Sequence, residues 1–227
     1  MPVPGAEAEL ADYLDRLVRD VPDYPKPGVV FKDITPLLGD ADGFRAVVDA
    51  LVGPWTGGAV DDLDTLHTLT ELANLAVLAD LANADTVDPV HRIDRVDRVD
   101  KVDRVDKVAG IEARGFILAA PVAYRLGAGF VPIRKQGKLP SHTLEENYAL
   151  EYGEAVVEVH TDAFVAGERV LLVDDVLATG GTAAAAAELV RRAGGVVVGV
   201  SVLIELEFLS GRSALPPGLQ VHALLSV

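Results

Sequence analysis

The hydrophobic pattern of the chain alternates between helical and extended periods. Apolar residues at helical spacing predict four helices: Glu7–Val21, Asp42–Val52, Phe116–Leu126 and the alanine-rich Ala183–Ala193. Apolar or alternating runs predict the strands between them: one from Lys107, then Phe130–Ile133, Glu154–His160, Val170–Val173, Gly195–Ile204 and an edge strand at Leu219–Val227. This alternation predicts an α/β fold with a mostly parallel central sheet flanked by helices, whose ligands bind at the carboxyl ends of the strands.

Two stretches show neither period. Prolines bound Val29–Leu38, so we expect no regular structure there; one interpretation is a connecting arm whose Phe31 fills the core. Ser141–Asn147 is polar, and we expect a mobile loop.

Residues 53–104 stand apart from this pattern. Asp61–Ala82 has leucines three residues apart and is expected to be helical, and Ile93–Val108 repeats (Val/Ile)-Asp-(Arg/Lys). A period of three precesses by about 60° per repeat around a helix, so its apolar residues form no single buried stripe. Aspartates with a base four residues later support a solvated helix. We interpret the block as a leucine-rich and low-complexity insertion in a single-domain chain, without chemistry of its own.

The composition restricts the possible partners. A net charge of −15 over 227 residues disfavours nucleic acid and anionic membranes, so small molecules or proteins are expected. The absence of cysteine excludes disulfides and thiolate chemistry. The first residues lack the features of a signal peptide, and the apolar stretches are too short to span a bilayer, which predicts a soluble cytoplasmic protein.

The most informative stretch reads V-L-L-V-D-D-V-L-A-T-G-G-T and begins at Val170. Its loop leads into a helix and consists of Ala178, Thr179, Gly180, Gly181 and Thr182. Free backbone N–H groups and the positive end of the helix dipole suit a phosphate monoester. Asp174 and Asp175 repel phosphate and suit vicinal hydroxyls, so ribose 5-phosphate fits both halves. The alternative is a plain turn beside a solvated strand end.

Cations follow two further strands. Arg114 lies in G-I-E-A-R-G-F, and Arg134, Lys135 and Lys138 lie in R-K-Q-G-K-L-P. In so acidic a chain, this cluster suits a pyrophosphate with its magnesium. The alternatives are a solvated surface run and an ion pair between Arg114 and Glu112. Since each feature follows a strand, we expect them to converge on one rim of the sheet.

Together these motifs resemble a known family. The run from Val170 to Thr182 resembles the phosphoribosyl pyrophosphate (PRPP) signature of type I phosphoribosyltransferases. Y-P-K-P-G-V-V-F-K-D-I-T-P-L-L, G-I-E-A-R-G-F, R-K-x-G-K-L-P and Y-x-L-E-Y-G are similar to motifs of adenine phosphoribosyltransferases. The resemblance covers about Glu7–Val52 and Asp106–Val227 and implies the type I fold, with residues 1–36 as N-terminal arm and small hood.

The resemblance also implies a reaction: adenine and PRPP give AMP and pyrophosphate in purine salvage. Mg²⁺ is implied as cofactor, held mainly by PRPP, and a homodimer is typical. For catalysis it implies Glu151, which exchanges a proton with the purine, and Arg114. For PRPP phosphate and ribose it implies Asp174, Asp175 and the loop Ala178, Thr179, Gly180, Gly181 and Thr182. For pyrophosphate it implies Glu112, Ala113, Arg114, Arg134, Lys135 and Lys138, with a cis peptide between Glu112 and Ala113. For adenine it implies Val30, Phe31, Lys32 and Leu206.

Two alternatives remain open from the sequence. One is a phosphoribosyltransferase for another purine, which the adenine-type arm and the A-T-G-G-T loop disfavour. The other is a non-catalytic PRPP-binding regulator on the same fold. Turnover of the different purines with PRPP separates all three.

Overall fold

The N-terminal region folds as a helix followed by a two-stranded hairpin. The computed structural model describes residues 6–56, 104–149 and 154–227. Helix α1 (Ala6–Leu17) ends earlier than predicted, because Arg19–Pro22 (β1) pairs antiparallel with Val30–Asp33 (β2). This pairing sets Val21 opposite Phe31. The hairpin lies within residues 1–36, which the resemblance assigns to the N-terminal arm and small hood.

The arm is regular, so the expectation of irregular structure at Val29–Leu38 was wrong. After β2 comes a short helix, α2 (Thr35–Gly39), with Pro36 in its first turn. A proline there breaks no helical hydrogen bond, because the first N–H groups have no partner within the helix. The Asp33 carboxylate accepts a 2.9 Å hydrogen bond from the Thr35 N–H and closes the entry to the helix.

Three further predicted helices are confirmed, with shifts of one or two residues at their ends. They are α3 (Ala41–Val52), α4 (Gly115–Leu126) and α5 (Gly181–Arg192). The start of α3 is capped by Asp40, whose carboxylate accepts a hydrogen bond from the Gly43 N–H at 2.7 Å. Among the described residues, no helix is long and apolar enough to cross a membrane.

Seven strands of the described residues form the main sheet. They are β3 (Lys107–Ile111), β4 (Gly129–Lys135), β5 (Thr143–Ala149), β6 (Glu154–His160), β7 (Arg169–Leu177), β8 (Val196–Glu205) and β9 (Val221–Ser226). Their order is β5-β6-β4-β3-β7-β8-β9. The pairs from β4 to β9 are parallel, whereas β6 is antiparallel to both β4 and β5. The predicted mostly parallel sheet is thus confirmed, with β9 on one edge.

Two strands differ from their predictions. The loop expected at Ser141–Asn147 is largely β5, which pairs with β6 along its whole length. In β5, Leu144 and Tyr148 pack against the core while Glu145 and Asn147 face solvent, so an alternation exists, but few of its residues are apolar. Strand β7 continues beyond Val173 to Leu177, because it keeps pairing with β8. The two aspartates therefore lie within the strand.

Each face of the sheet has its own core. Leu171 and Val173 of β7 pack towards α1, α2, α3 and α4, and the intervening Val170 and Leu172 pack towards α5. Trp55, just after α3, is buried in the first core, where its indole N–H donates to the Ser201 hydroxyl at 3.3 Å. The described residues up to Trp55 and those from Val105 onwards belong to one compact unit. The helix predicted at Asp61–Ala82 and the repeat up to residue 103 lie outside the described residues.

Candidate functional site

The carboxyl ends of β3, β4, β7 and β8 meet at one rim of the sheet, because these strands are parallel neighbours. The turn with Arg114 follows β3, Arg134 and Lys135 end β4, and the glycine loop follows β7. The convergence predicted from the sequence is therefore present.

The glycine loop has the geometry of an anion site. Gly180 has a left-handed φ of 81° and forms the N-cap of α5 without any side-chain cap. The first helical hydrogen bond runs from the Ala184 N–H to the Gly180 carbonyl at 2.8 Å. The N–H groups of Gly181, Thr182 and Ala183 precede that bond and point out of the helix start. A cavity of about 60 Å³ lies here, lined by residues 176–183 with Asp174 and Val202.

A second backbone supports this loop closely. A Cβ on Gly180 would lie 2.1 Å from the Gly211 carbonyl oxygen, and a Cβ on Gly211 would lie 2.2 Å from the Ala178 carbonyl oxygen. Only glycine at both positions allows this approach. Arg212 holds the supporting segment with hydrogen bonds of 2.6–3.0 Å to the buried Glu205 carboxylate at the end of β8.

The acidic pair lies beside the same cavity. Asp174 accepts a hydrogen bond from the Asp175 N–H at 2.9 Å, and a Cβ on Gly115 would lie 2.7 Å from the Asp174 carboxylate. Burial, and then the negative charge of Asp175, raise the pKa of Asp174 well above its usual value. Asp175 is buried, and no directed hydrogen bond reaches its Oδ2 within the described residues. The neighbour of this oxygen is the Arg114 guanidinium, at 2.7 Å, and a ligand hydroxyl that donates to it would share or displace this ion pair.

Arg114 connects this acidic pair with the hood. Its Nη2 lies 2.7 Å from the Asp175 Oδ2 as an ion pair, and its guanidinium carbon lies 4.9 Å from the centre of the Phe31 ring. Of the two roles considered from the sequence, pairing with Glu112 is therefore not the one observed. The Phe31 ring packs edge-on against Tyr24, with 5.2 Å between the ring centres.

The cations of R-K-Q-G-K-L-P surround Glu112. Its carboxylate, with a side chain only 7 % exposed, accepts hydrogen bonds from Arg134 Nε at 3.3 Å, from the Lys135 N–H at 3.0 Å and from Lys138 Nζ. Burial opposes ionisation, but the bonds and charges from Lys138, Lys135 and Arg134 outweigh it and lower the pKa of Glu112. The Glu112 N–H donates to the Ile133 carbonyl. Glu112 thus binds Arg134 and Lys138 through its carboxylate, and its own backbone N–H is not free to bind an anion.

The remaining expected residues have simple environments. The peptide between Glu112 and Ala113 is cis, as the resemblance implied, and Ala113 is exposed. Val30 is exposed, and the Lys32 ammonium pairs with Asp20 at 2.7 Å. The Leu206 N–H donates to the Leu177 carbonyl at 2.9 Å, which joins the ends of β8 and β7. Glu151 lies outside the described residues.

Sequence reasoning missed three residues of this rim. Gly115 and Gly211 allow backbone approaches that only the fold reveals, although Gly115 stands directly after Arg114 in a motif already noted. Glu158 is a buried carboxylate in β6 that binds the turn after β4. In the sequence, Glu158 is a charged residue between two valines of an alternating strand, and this pattern equally predicts a solvent-facing side chain.

Two larger cavities of the described residues involve none of these side chains. One, of about 720 Å³, is lined by residues of α1, α3 and β9, and the other, of about 540 Å³, lies between α5 and the segment before β9. Both linings are mainly aliphatic. The concentration of charged and polar groups at the rim makes the rim the candidate site.

Comparison with known proteins agrees with this geometry. The family model described as "Phosphoribosyl transferase domain" matches residues 97–214. An adenine phosphoribosyltransferase of Thermobifida fusca is 49 % identical, and the alignment covers 96 % of this chain and 98 % of that protein. The crystal structure of adenine phosphoribosyltransferase from Rhodothermus marinus matches with a TM-score of 0.74 and 41 % identity, covering 97 % of this chain and 99 % of that one.

A more distant structure carries ligands. Adenine phosphoribosyltransferase from Saccharomyces cerevisiae, complexed with an imino-altritol bisphosphate and adenine, matches with a TM-score of 0.70 and 30 % identity over 96 % of this chain and 99 % of that one. Near-complete coverage at such identity exceeds what a shared fold alone requires. The chain belongs to the adenine phosphoribosyltransferase family.

Proposed function

We propose that this chain transfers the 5-phosphoribosyl group of PRPP to adenine, giving AMP and pyrophosphate. The observation that carries the proposal is the rim itself, where a helix start, an acidic pair and a cation cluster meet. The relative from Saccharomyces cerevisiae was crystallised with adenine and an imino-altritol bisphosphate. These ligands are a purine base and a phosphorylated sugar analogue, the two classes to which adenine and PRPP belong.

The 5-phosphate binds to the loop Ala178–Thr182 in this proposal. Its oxygens accept from the open N–H groups at the start of α5, and the threonine hydroxyls add neutral donors. The carboxylates of Asp174 and Asp175 accept hydrogen bonds from the two ribose hydroxyls. The raised pKa of Asp174 supports this role, because hydroxyl donors relieve two adjacent carboxylates that otherwise repel each other.

The pyrophosphate binds towards Arg134, Lys135 and Lys138. As adenine N9 bonds to C1, the bond between C1 and the pyrophosphate oxygen breaks and its electron pair leaves with pyrophosphate. Positive charge develops on the ribose ring while negative charge develops on the leaving group. Cations fixed around Glu112 stabilise the latter. Arg114, which pairs with Asp175, adds to this stabilisation once ribose hydroxyls take over that carboxylate.

Magnesium arrives with PRPP in this proposal. The described residues contain no group of three or more acidic or histidine side chains able to hold a metal ion, so PRPP oxygens would supply most of the ligands of Mg²⁺. Mg²⁺ bound with PRPP would supply positive charge that neutralises the diphosphate.

Adenine lies between the hood and the end of β8. Phe31 stacks on the base, Val30 and Lys32 offer main-chain groups to its edge, and Leu206 packs on the opposite face. Glu151 exchanges a proton with the imidazole ring of the purine as N9 attacks.

A homodimer and a cytoplasmic location complete the proposal. Support for the dimer comes from apolar side chains left exposed around α4: Ile117 at 44 %, Phe130 at 40 % and Tyr124 at 86 %. Phe130 is tied to the helix by an edge-on contact with Phe116. Light scattering after size exclusion tests the dimer; a monomer at micromolar concentration contradicts it.

One assay tests the central proposal. Purified protein with Mg²⁺, PRPP and adenine should produce AMP and pyrophosphate in equal amounts, and hypoxanthine, guanine and xanthine should react far more slowly. Faster turnover of another purine would reassign the substrate, and PRPP binding without turnover of any base would make the chain a PRPP-binding regulator.

The assigned proton transfer has its own test. Glu151→Gln should leave PRPP binding unchanged and slow turnover by roughly a hundredfold or more, the usual contribution of such a group. Unchanged turnover removes the role of Glu151.

A further inference from the structure

The turn between β4 and β5 is held by hydrogen bonds to one buried carboxylate. Glu158 belongs to β6, where it pairs in register with Arg134 of β4, and it is only 2 % exposed. Its Oε1 accepts hydrogen bonds from the Lys138 N–H at 2.8 Å and the Leu139 N–H at 2.7 Å. The Gly137 N–H also contributes to stabilising this carboxylate. Three consecutive amides thus converge on one anion inside the protein.

This arrangement decides what the turn can offer a ligand. Consecutive N–H groups that converge form an anion site, and here the protein itself supplies the anion. The amides of residues 137–139 are therefore occupied, so an incoming pyrophosphate can meet only side chains, and not backbone N–H groups, at these three residues. Burial would raise the pKa of Glu158, but the bonds from Leu139, Lys138 and Gly137 and the charge of Arg134 outweigh it and lower the pKa. The carboxylate stays ionised and keeps its hold on the turn at neutral pH.

The same turn presents Lys138 to the site. Arg134 Nη1 donates to the Lys138 carbonyl at 2.9 Å, so the main chain of Lys138 is held at both its N–H and its C=O. From this fixed origin the Lys138 ammonium reaches the Glu112 carboxylate, which also binds Arg134. Glu158 does not itself bind Glu112 or the Lys138 ammonium. It binds the Lys138 backbone and so fixes the position from which the lysine side chain extends.

We propose that Glu158 is a positioning residue for the pyrophosphate end of the site: its buried carboxylate fixes residues 137–139 so that Lys138 and Arg134 meet the leaving group. The inference rests on the proposed function, because it takes the ligand of that end to be pyrophosphate. It assigns Glu158 no contact with substrate.

The test compares the two ends of the site in Glu158→Gln. The glutamine keeps the size but loses the charge, and its NH₂ group opposes the backbone donors. We expect the dissociation constant of magnesium pyrophosphate, measured by titration calorimetry, to rise by roughly tenfold or more. The inhibition constant of ribose 5-phosphate, which reports the glycine loop, should change by less than about twofold. In turnover, KM for PRPP should rise while KM for adenine stays unchanged.

A control and a coupling experiment separate positioning from general stability. Glu188→Gln removes a carboxylate of α5 that pairs with Arg191 on the surface, and it should change none of these constants. In a Lys138→Met background, Glu158→Gln should cause a smaller loss of pyrophosphate binding than it does in the wild type, because the part of its effect that passes through the Lys138 ammonium is already gone. If Glu158→Gln does not fold, Glu158→Asp, which keeps the charge but shortens the reach, carries the same comparison.

The outcomes distinguish this inference from the proposed function. Unchanged pyrophosphate binding in Glu158→Gln, or equal losses for pyrophosphate and ribose 5-phosphate, overturns the positioning role even if the wild-type protein makes AMP. A wild-type protein that binds pyrophosphate but makes no AMP overturns the proposed reaction only. Additive effects of Glu158→Gln and Lys138→Met also contradict the inference.

Discussion

The two ends of the candidate PRPP site are built from different groups. At the 5-phosphate end, backbone N–H groups and a helix dipole form the site, and glycines make the approach possible. At the pyrophosphate end, the proposed binding groups are side-chain cations, of which Arg134 and Lys138 pair with the buried Glu112, and Lys138 begins in a turn that the buried Glu158 fixes. The first end offers open donors, whereas the second must exchange Glu112 for a ligand.

The difference follows from the charge of the chain. With a net charge of −15, unpaired cations would be attracted to many acidic groups, so fixing them requires dedicated acidic partners nearby. Backbone dipoles carry no net charge and need no such partner. We therefore expect ligand binding at the first end to be sensitive to changes of shape, and ligand binding at the second end to be sensitive to charge, salt and pH.

The largest effect should come from shape at the glycine loop. Gly180→Ala places a Cβ against the Gly211 carbonyl oxygen, at 2.1 Å before relaxation, and forces alanine into a left-handed conformation. The strain alone costs about 1–3 kcal/mol, and the clash moves the loop. We expect kcat/KM for PRPP to fall by at least a hundredfold, an estimate of about 2.7 kcal/mol or more.

The control has the same strain without the contact. Gly167→Ala also requires a positive φ, of 84°, but its Cβ meets no atom within 4 Å. It should lower the melting temperature and leave kcat/KM unchanged. Equal kinetic losses in both variants would mean that strain, rather than the approach of Gly211, governs the loop.

A smaller effect is expected from charge at the other end. Lys138→Met removes one charge-assisted contact, worth about 1.5–3 kcal/mol, so pyrophosphate binding should weaken roughly ten- to hundredfold. The difference in pyrophosphate affinity between the variant and the wild type should become smaller as the salt concentration is raised, because Lys138 is half exposed. Arg191→Met, which removes a surface cation of α5, is the matched control. A gap independent of salt would show that packing, rather than charge, carries the effect.

Asp174→Asn should change stability and binding in opposite directions. The folded-state pKa of Asp174 is raised, so its contribution to stability is present below the unfolded pKa and is lost as the pH rises through the folded one. At neutral pH the variant should therefore melt at a higher temperature, while KM for PRPP rises about tenfold through the lost hydroxyl contact. Thermal unfolding beside Asp12→Asn, an exposed position on α1, checks the sign.

The smallest effect concerns Glu112 and acid. Its folded-state pKa is lowered, so its contribution to stability is present above the usual pKa of a glutamate and disappears as the pH falls through the folded value. Wild type should be more stable than Glu112→Gln at neutral pH, and the difference should be smaller at an acidic pH below the usual pKa of a glutamate. Urea unfolding at both pH values measures it; a difference independent of pH would mean that the ionised state of Glu112 is unimportant.

Much of the fold was readable because local patterns and tertiary pairing agreed. The helix at Ala183–Ala193 and the strands at Lys107 and Gly195 have strong periods, and all are confirmed. The arm and β5 were missed because their own apolar patterns are weak and each becomes a strand only by pairing with a neighbour: β1 with β2, and β5 with β6. Such pairing overrides weak local preference.

The sequence by itself identified the family and predicted the ligand classes, because glycines, adjacent carboxylates and clustered cations limit the chemistry wherever the chain places them. Only the tertiary structure decided the partners: Arg114 with Asp175, Gly180 against Gly211, and Glu158 beneath residues 137–139. These groups are far apart along the chain, and their contacts are set by strand order and register, which are properties of the whole sheet rather than of any local pattern.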